Sequence, residues 1–110
     1  MIIVSGFNVY PNEVEVVVAS CPGVSECAVI GMPDERSGES VCLYVVKAAN
    51  ATLDEATLVQ HCRAHLAAYK VPRQVRFLTA LPKSTVGKIL RKDLRVLATA
   101  GSSPESILVG

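Results

Sequence analysis

The sequence predicts an α+β fold: a small mixed β-sheet flanked by helices and preceded by a short N-terminal hairpin. Three observations lead there. Short runs rich in β-branched residues alternate with stretches whose apolar residues recur at helical spacing. Gly, Pro, Ser and Asp clusters separate them. The chain has 110 residues, half of them apolar, which is enough for one modest core and therefore one domain.

Met1 to Val4 is apolar, Ser5-Gly6 interrupts it, and Phe7-Asn8-Val9-Tyr10 resumes, so a bend around the glycine is expected. Pro11 suits the first turn of a helix, where its missing N–H is not needed. Val14, Val17, Val18 and Cys21 then make one apolar stripe, Glu13 and Glu15 place negative charge near the positive end of the helix, and Pro22-Gly23 ends it. Val24 to Met32 and Val41 to Val46 are expected as two central, paired strands, with Pro33 to Glu39 as the turn between them. Thr52 precedes Glu55 by three residues, a capping-box spacing that opens a second helix carrying Leu58, Val59, Cys62 and Leu66. After Val71-Pro72, Gln74 to Leu78 alternates as an edge strand. Ile89, Leu90, Leu94 and Leu97 predict a final amphipathic helix with Arg91, Lys92 and Arg95 on its outer side. The expected organisation is a folded domain over 1–98 and a flexible tail over 99–110.

A net charge of +1 conceals an asymmetry. Residues 1–69 carry Arg36, Lys47 and Arg63 against eight acids, whereas 70–95 carry eight bases against Asp93 alone. The later part is suited to face anions, although a solvated basic face accounts for most of those residues equally well. Cys21, Cys27, Cys42 and Cys62 lack CxxC spacing and fall in apolar segments, which reads as buried free thiols. His61 and His65 stand four apart on a predicted helix, but no carboxylate lies between them to complete a zincin pattern, and no metal site is expected. No apolar run is long enough to span a membrane and no signal segment opens the chain, so a soluble, cytoplasmic protein is expected.

Leu81-Pro82-Lys83-Ser84-Thr85-Val86-Gly87-Lys88-Ile89 contains a Gly-Lys step ahead of a helix. A phosphate-binding P-loop would require glycine at Pro82 and Ser or Thr at Ile89, so that reading fails. What remains is Lys88 presented by a tight Ser-Thr-Val-Gly turn, either as an ordinary surface lysine or as an ammonium aimed at developing negative charge.

Residues 1–15, MIIVSGFNVYPNEVE, resemble the motif that opens the C-terminal domain of the superfamily of acyl-CoA synthetases, luciferases and peptide-synthetase adenylation domains. Residues 81–95, LPKSTVGKILRKDLR, resemble that family's last core motif. Pro22-Gly23-Val24, Gly31-Met32-Pro33-Asp34 and Tyr69-Lys70-Val71-Pro72 fall between them in the expected order. The resemblance spans about 1–98 and, within the superfamily, points to bacterial long-chain fatty acid CoA ligases.

That resemblance implies a lid domain, which works with an N-terminal adenylation domain of the same parent chain on a carboxylic acid. ATP, Mg²⁺ and coenzyme A are the implied cofactors, bound mainly by the larger domain. Lys88 would serve acyl-adenylate formation as the catalytic lysine. Ser5, Gly6, Phe7 and Asn8 would line the passage for the pantetheine arm of coenzyme A. Arg63 matches a position that meets the nucleotide phosphate of coenzyme A in some acetyl-CoA ligases. Some relatives have lysine where Ser5 stands, which changes the charge available to coenzyme A. The family's hinge residue would lie just before Met1, and the isolated domain is expected to be inactive. Peripheral membrane attachment of the parent enzyme stays open. Two alternatives remain: a peptide-synthetase adenylation subdomain that hands its acyl group to a carrier protein, and a stand-alone module that binds a polyanion through 70–95. Nucleic acid is the less expected polyanion, because only Tyr69 and Phe77 could stack on bases.

Overall fold

The chain folds, in the computed structural model, as β1 (Ile2–Val4), β2 (Phe7–Val9), α1 (Pro11–Ala19), β3 (Val24–Asp34), β4 (Gly38–Lys47), α2 (Glu55–His65), a 3-10 turn at Ala68–Lys70, β5 (Gln74–Phe77) and α3 (Arg91–Thr99). The structure describes residues 1–87, 89 and 91–99. β4 is the axis of a mixed five-stranded sheet. On one side β3 runs antiparallel to it, from Val24↔Lys47 to Asp34↔Gly38. On the other, β1 meets its first residue at Val4↔Gly38, and β5 runs parallel to it from Cys42↔Gln74 to Val45↔Phe77. A parallel pair requires a crossover, and α2 lies within that connection.

Both faces of the sheet are covered, which is why β3 and β4 read as unbroken apolar runs. Val29, Val41, Leu43 and Val45 point to one side and pack with Val14 and Val18 of α1 and Leu58 and Cys62 of α2. Ala28, Ile30, Cys42 and Tyr44 alternate to the other side, where Leu78, Leu81 and Leu94 of α3 close over them. Among the described residues no helix is long and apolar enough to cross a membrane.

The structure departs from the sequence-based expectations in five places, the first being that β3, expected as a central strand, is an outer one. β3 and β4 extend past their apolar runs to a turn at 35–37, because the added rungs at Met32↔Ser40 and Pro33↔Glu39 rest on backbone pairing. Pro33 is tolerated there because β3 is an outer strand. α1 stops at Ala19, and Cys21 reaches the core from a tight turn beyond it. The N-cap of α2 is Asp54, whose carboxylate accepts the Thr57 N–H at 2.8 Å, in place of the Thr52–Glu55 box. The last helix begins at Arg91, because Ile89 forms an antiparallel bridge with Lys83. Leu90, the side chain of Leu97 and the tail 100–110 lie outside the described residues.

Candidate functional site

The N-terminal hairpin is closed by two residues. Val4 pairs with Phe7, leaving Ser5 at φ 51° and Gly6 at φ 85° as the turn. Positive φ at both centres matches the right-handed twist of the flanking strands. A Cβ placed on Gly6 would meet nothing within 4 Å, so the backbone conformation, and not internal crowding, calls for glycine there. The Ser5 N–H donates to the Ser37 carbonyl at 2.8 Å, and the Ile3 N–H donates to Glu39 Oε1 at 2.9 Å. These bonds dock the hairpin on the β3–β4 turn. Asp34 fixes that turn by accepting the N–H groups of Arg36 and Ser37, which hold its carboxyl below the usual carboxylate range. Ser5, Gly6, Phe7 and Asn8 are all exposed. Phe7 stacks on Tyr69 with ring centroids 4.7 Å apart and planes at 26°.

Tyr69 connects the hairpin to a second feature. Its neighbour Ala68 lines a cleft of about 620 Å³ bounded by Val59, Arg63 and Leu66 of α2 and by Val71, Pro72 and Arg73. Arg63 stands in the last turn of α2, and Arg73 lies 3.6 Å from Asp34. Lys70 is held by Glu13 at 2.5 Å, and that carboxylate raises its pKa.

The residues 82–87, Ile89 and Arg91 sit elsewhere. Buried Leu81 precedes them, and Lys83 pairs with Glu26 and bridges to Ile89. Beyond Lys83 the Gly87 N–H donates to the Ser84 carbonyl at 2.9 Å, with Gly87 at φ 85°. Thr85, Val86 and Gly87 form an exposed tip. Lys88 lies outside the described residues. Arg91, expected on the outer side of its helix, instead turns to Glu15 of α1: one guanidinium nitrogen touches both carboxylate oxygens, at 2.7 and 2.8 Å. Glu15 Oε2 also accepts the Val29 N–H at 2.8 Å.

Ser5 to Asn8 and the Arg63 cleft therefore share one region around Tyr69, and the Lys83–Ile89 loop does not belong to it. The hairpin docks near Asp34 and the loop near Glu26, eight residues apart on β3, or roughly 26 Å at about 3.3 Å per residue. Sequence reasoning missed Glu15, Glu26 and Arg73 as structural partners and Tyr69 as the platform for Phe7. No local pattern links residues so distant in the chain. The basic stretch is partly neutralised from within, since Lys70, Arg73, Lys83 and Arg91 each face an acid from the first third of the chain.

His61 is used structurally: its Nε2 lies 2.9 Å from Ser20 Oγ and 3.1 Å from the Val17 carbonyl, and its ring lies 4.7 Å from that of His65. Among the described residues no three His, Cys, Asp or Glu side chains converge as a metal site. All four cysteines are free; Cys21, Cys42 and Cys62 are buried and Cys27 is half-buried. Burial pushes the Cys27 and Cys62 thiols up to about 11, which suppresses the nucleophilic thiolate.

Fold and loops together define a small α+β domain, helices on both sheet faces, that presents two separate polar loops at its surface. The chain belongs to the AMP-binding enzyme C-terminal domain family, whose model matches residues 13–88. It is 59% identical over 95 residues to a long-chain-fatty-acid–CoA ligase of Salmonella typhimurium, covering 86% of this chain and 17% of that protein. Among solved structures it is similar to a fatty acyl CoA synthetase of Mycobacterium tuberculosis, with a TM-score of 0.86, 46% identity, and coverage of 92% of this chain and 20% of that one. It is also similar to ATP-bound MatB from Rhodopseudomonas palustris, with a TM-score of 0.83, 42% identity, and coverage of 86% and 19%. The chain thus spans about a sixth of the length of the curated relative it matches.

Proposed function

We propose that this chain is the C-terminal lid domain of an ATP-dependent acyl-CoA ligase that activates a fatty acid as its adenylate and transfers it to coenzyme A. The observation that carries this reading is the separation of two motif loops at opposite ends of β3. A rigid body so built can offer one loop to a neighbouring active site and, after turning, the other. Its partner is an N-terminal adenylation domain of the same parent chain, and the isolated lid is catalytically silent. We further propose a cytoplasmic location.

In the first half-reaction a carboxylate oxygen attacks the α-phosphorus of ATP and the bond to pyrophosphate breaks. Two unit anions about 4 Å apart repel by roughly 4 kcal/mol at an effective dielectric of about 20. In this reading the Lys88 ammonium offsets that repulsion as the two anions approach. In this reading Mg²⁺ would accompany ATP on the partner domain and neutralise phosphate charge there.

In the second half-reaction the coenzyme A sulfur attacks the acyl carbon, the bond to AMP breaks, and the thiol proton passes to solvent. The residues at the hairpin end suit coenzyme A. The space above Gly6 is open to a thin chain, Phe7 on Tyr69 offers an apolar wall, and Arg63 flanks a cleft where its guanidinium group can bind phosphate. The same cleft favours free coenzyme A over a carrier-bound arm, which brings no nucleotide phosphate. The internal pairing of four basic residues weighs against a general polyanion-binding module.

The test is Lys88→Ala in the full-length ligase. Acyl-adenylate formation should be lost, while thioester formation from supplied acyl-adenylate continues. Comparable loss in both half-reactions would overturn the assigned role.

A further inference from the structure

The segment expected to deliver Lys88 is anchored on both sides by acids from distant parts of the chain. On its N-terminal side Lys83 pairs with Glu26 of β3. On its C-terminal side Arg91, three residues beyond Lys88, is held by Glu15 of α1. Between the anchors, Ile89 packs half-buried against the cluster of Ala28, Ile30 and Leu94, and with Glu15 and Glu26 it lines a shallow surface cleft. Glu15 is the more constrained of the two acids. Its side chain is only 16% exposed, and the same carboxylate that holds Arg91 accepts the Val29 N–H of β3. One carboxylate therefore connects α1, the outer strand and the start of α3, elements from both faces of the sheet.

We propose that Glu15 and Glu26, acting through Arg91 and Lys83, are positioning residues for adenylation, fixing the described ends of the segment that carries Lys88. This rests on the role given to Lys88 above. The Arg91 pair is not built for hydrogen-bond economy: its Nε is buried and faces no acceptor among the described residues. Desolvation offsets the attraction within a half-buried pair, so its presence is weak evidence of a stabilising role, and geometry is the role assigned to it here. Catalysis is sensitive to geometry at this scale, because a misplacement of about 1 Å can cost roughly a hundredfold in rate.

The test uses the full-length ligase carrying Glu15→Gln or Glu26→Gln, with the two half-reactions assayed separately. Glu15→Gln keeps an oxygen for the Val29 N–H and removes the charge that holds Arg91. Glu26→Gln alters a separate, more exposed pair on the other side of the segment, and so stands as the second reading of the same idea. Pyrophosphate release with acid and ATP should slow by roughly ten- to a hundredfold, and thioester formation from supplied acyl-adenylate should stay within about twofold. A purely architectural pair would lower both half-reactions alike, and that result, or unchanged adenylation in both variants, overturns the proposal. Lys88→Ala in the same assays keeps the two questions apart. Selective loss there with no loss in the glutamine variants removes the positioning role alone, whereas unselective loss there removes the reading on which it rests.

Discussion

Gly31→Ala tests how the hairpin is held to the sheet. Gly31 lies on β3 opposite Val41, and a Cβ built there stands 2.7 Å from Glu39 Oε2, 3.0 Å from Ile2 Cγ1 and 3.2 Å from Ile2 Cγ2. The carboxylate can swing away, but its other oxygen accepts the Ile3 N–H, so moving it loosens β1 at a cost of about 1 kcal/mol. Ile2 is 2% exposed and has little room to retreat, which adds overpacking of about 1–3 kcal/mol. Replacing glycine within a strand returns about 0.5–1 kcal/mol, leaving a net loss of about 2 kcal/mol. At about 4–8 °C per kcal/mol for a domain of this size, Tm should fall by roughly 10 °C in a calorimetric scan. Combining it with Glu39→Ala should reduce the added cost by about 1 kcal/mol, because the displaced group is already gone. A Tm equal to or above that of the parent would refute this account of the docking.

Two further outcomes are expected. The Asp54 carboxyl is held below its ordinary value by the Thr57 hydroxyl and then the Thr57 N–H, and Asp34 by the N–H groups of Arg36 and Ser37. Folded-state pKa values below the unfolded ones give stability that is present above about pH 4 and lost as pH falls through the lowered values. Asp54→Asn should flatten the acid side of the stability curve in urea titrations at stepped pH; an unchanged slope would count against that linkage. Arg63→Ala in the full-length ligase should raise KM for coenzyme A by roughly tenfold and leave KM for ATP unchanged, the loss expected of one charged contact. Equal effects on both substrates would move Arg63 out of the coenzyme A region.

The alternation of branched runs and helical stripes made the order of elements legible, since each depends on neighbours in sequence. Pro11 marked the start of α1, and Ser5-Gly6 marked the hairpin turn, because backbone geometry at those sites is a local matter. Positions decided by tertiary contact were harder. Asp54 displaced Thr52 as the cap once the chain approached α2 in an extended conformation. Ile89 fitted a helical stripe equally well on paper, yet its bridge to Lys83 draws it out of α3. The basic run over 70–95 looked like a face for anions until the fold laid four of its members against acids from the first third of the chain. The hairpin residues and Arg63 carried a signal of their own, whereas Tyr69, Glu15 and Glu26 acquire their roles only when distant segments meet.

The Val29 N–H bonded to Glu15 marks the free margin of β3, the kind of apolar outer strand that invites a second chain to pair with it. Glu15, Ile89 and the Lys83–Glu26 contact together shutter that margin. A segment employed as a shutter is a poor flap, because lifting it would bare a sticky ladder of unpaired amides. The contact that anchors Lys83 therefore also protects the outer strand, so one set of side chains serves both the placement of a loop and the solubility of an edge.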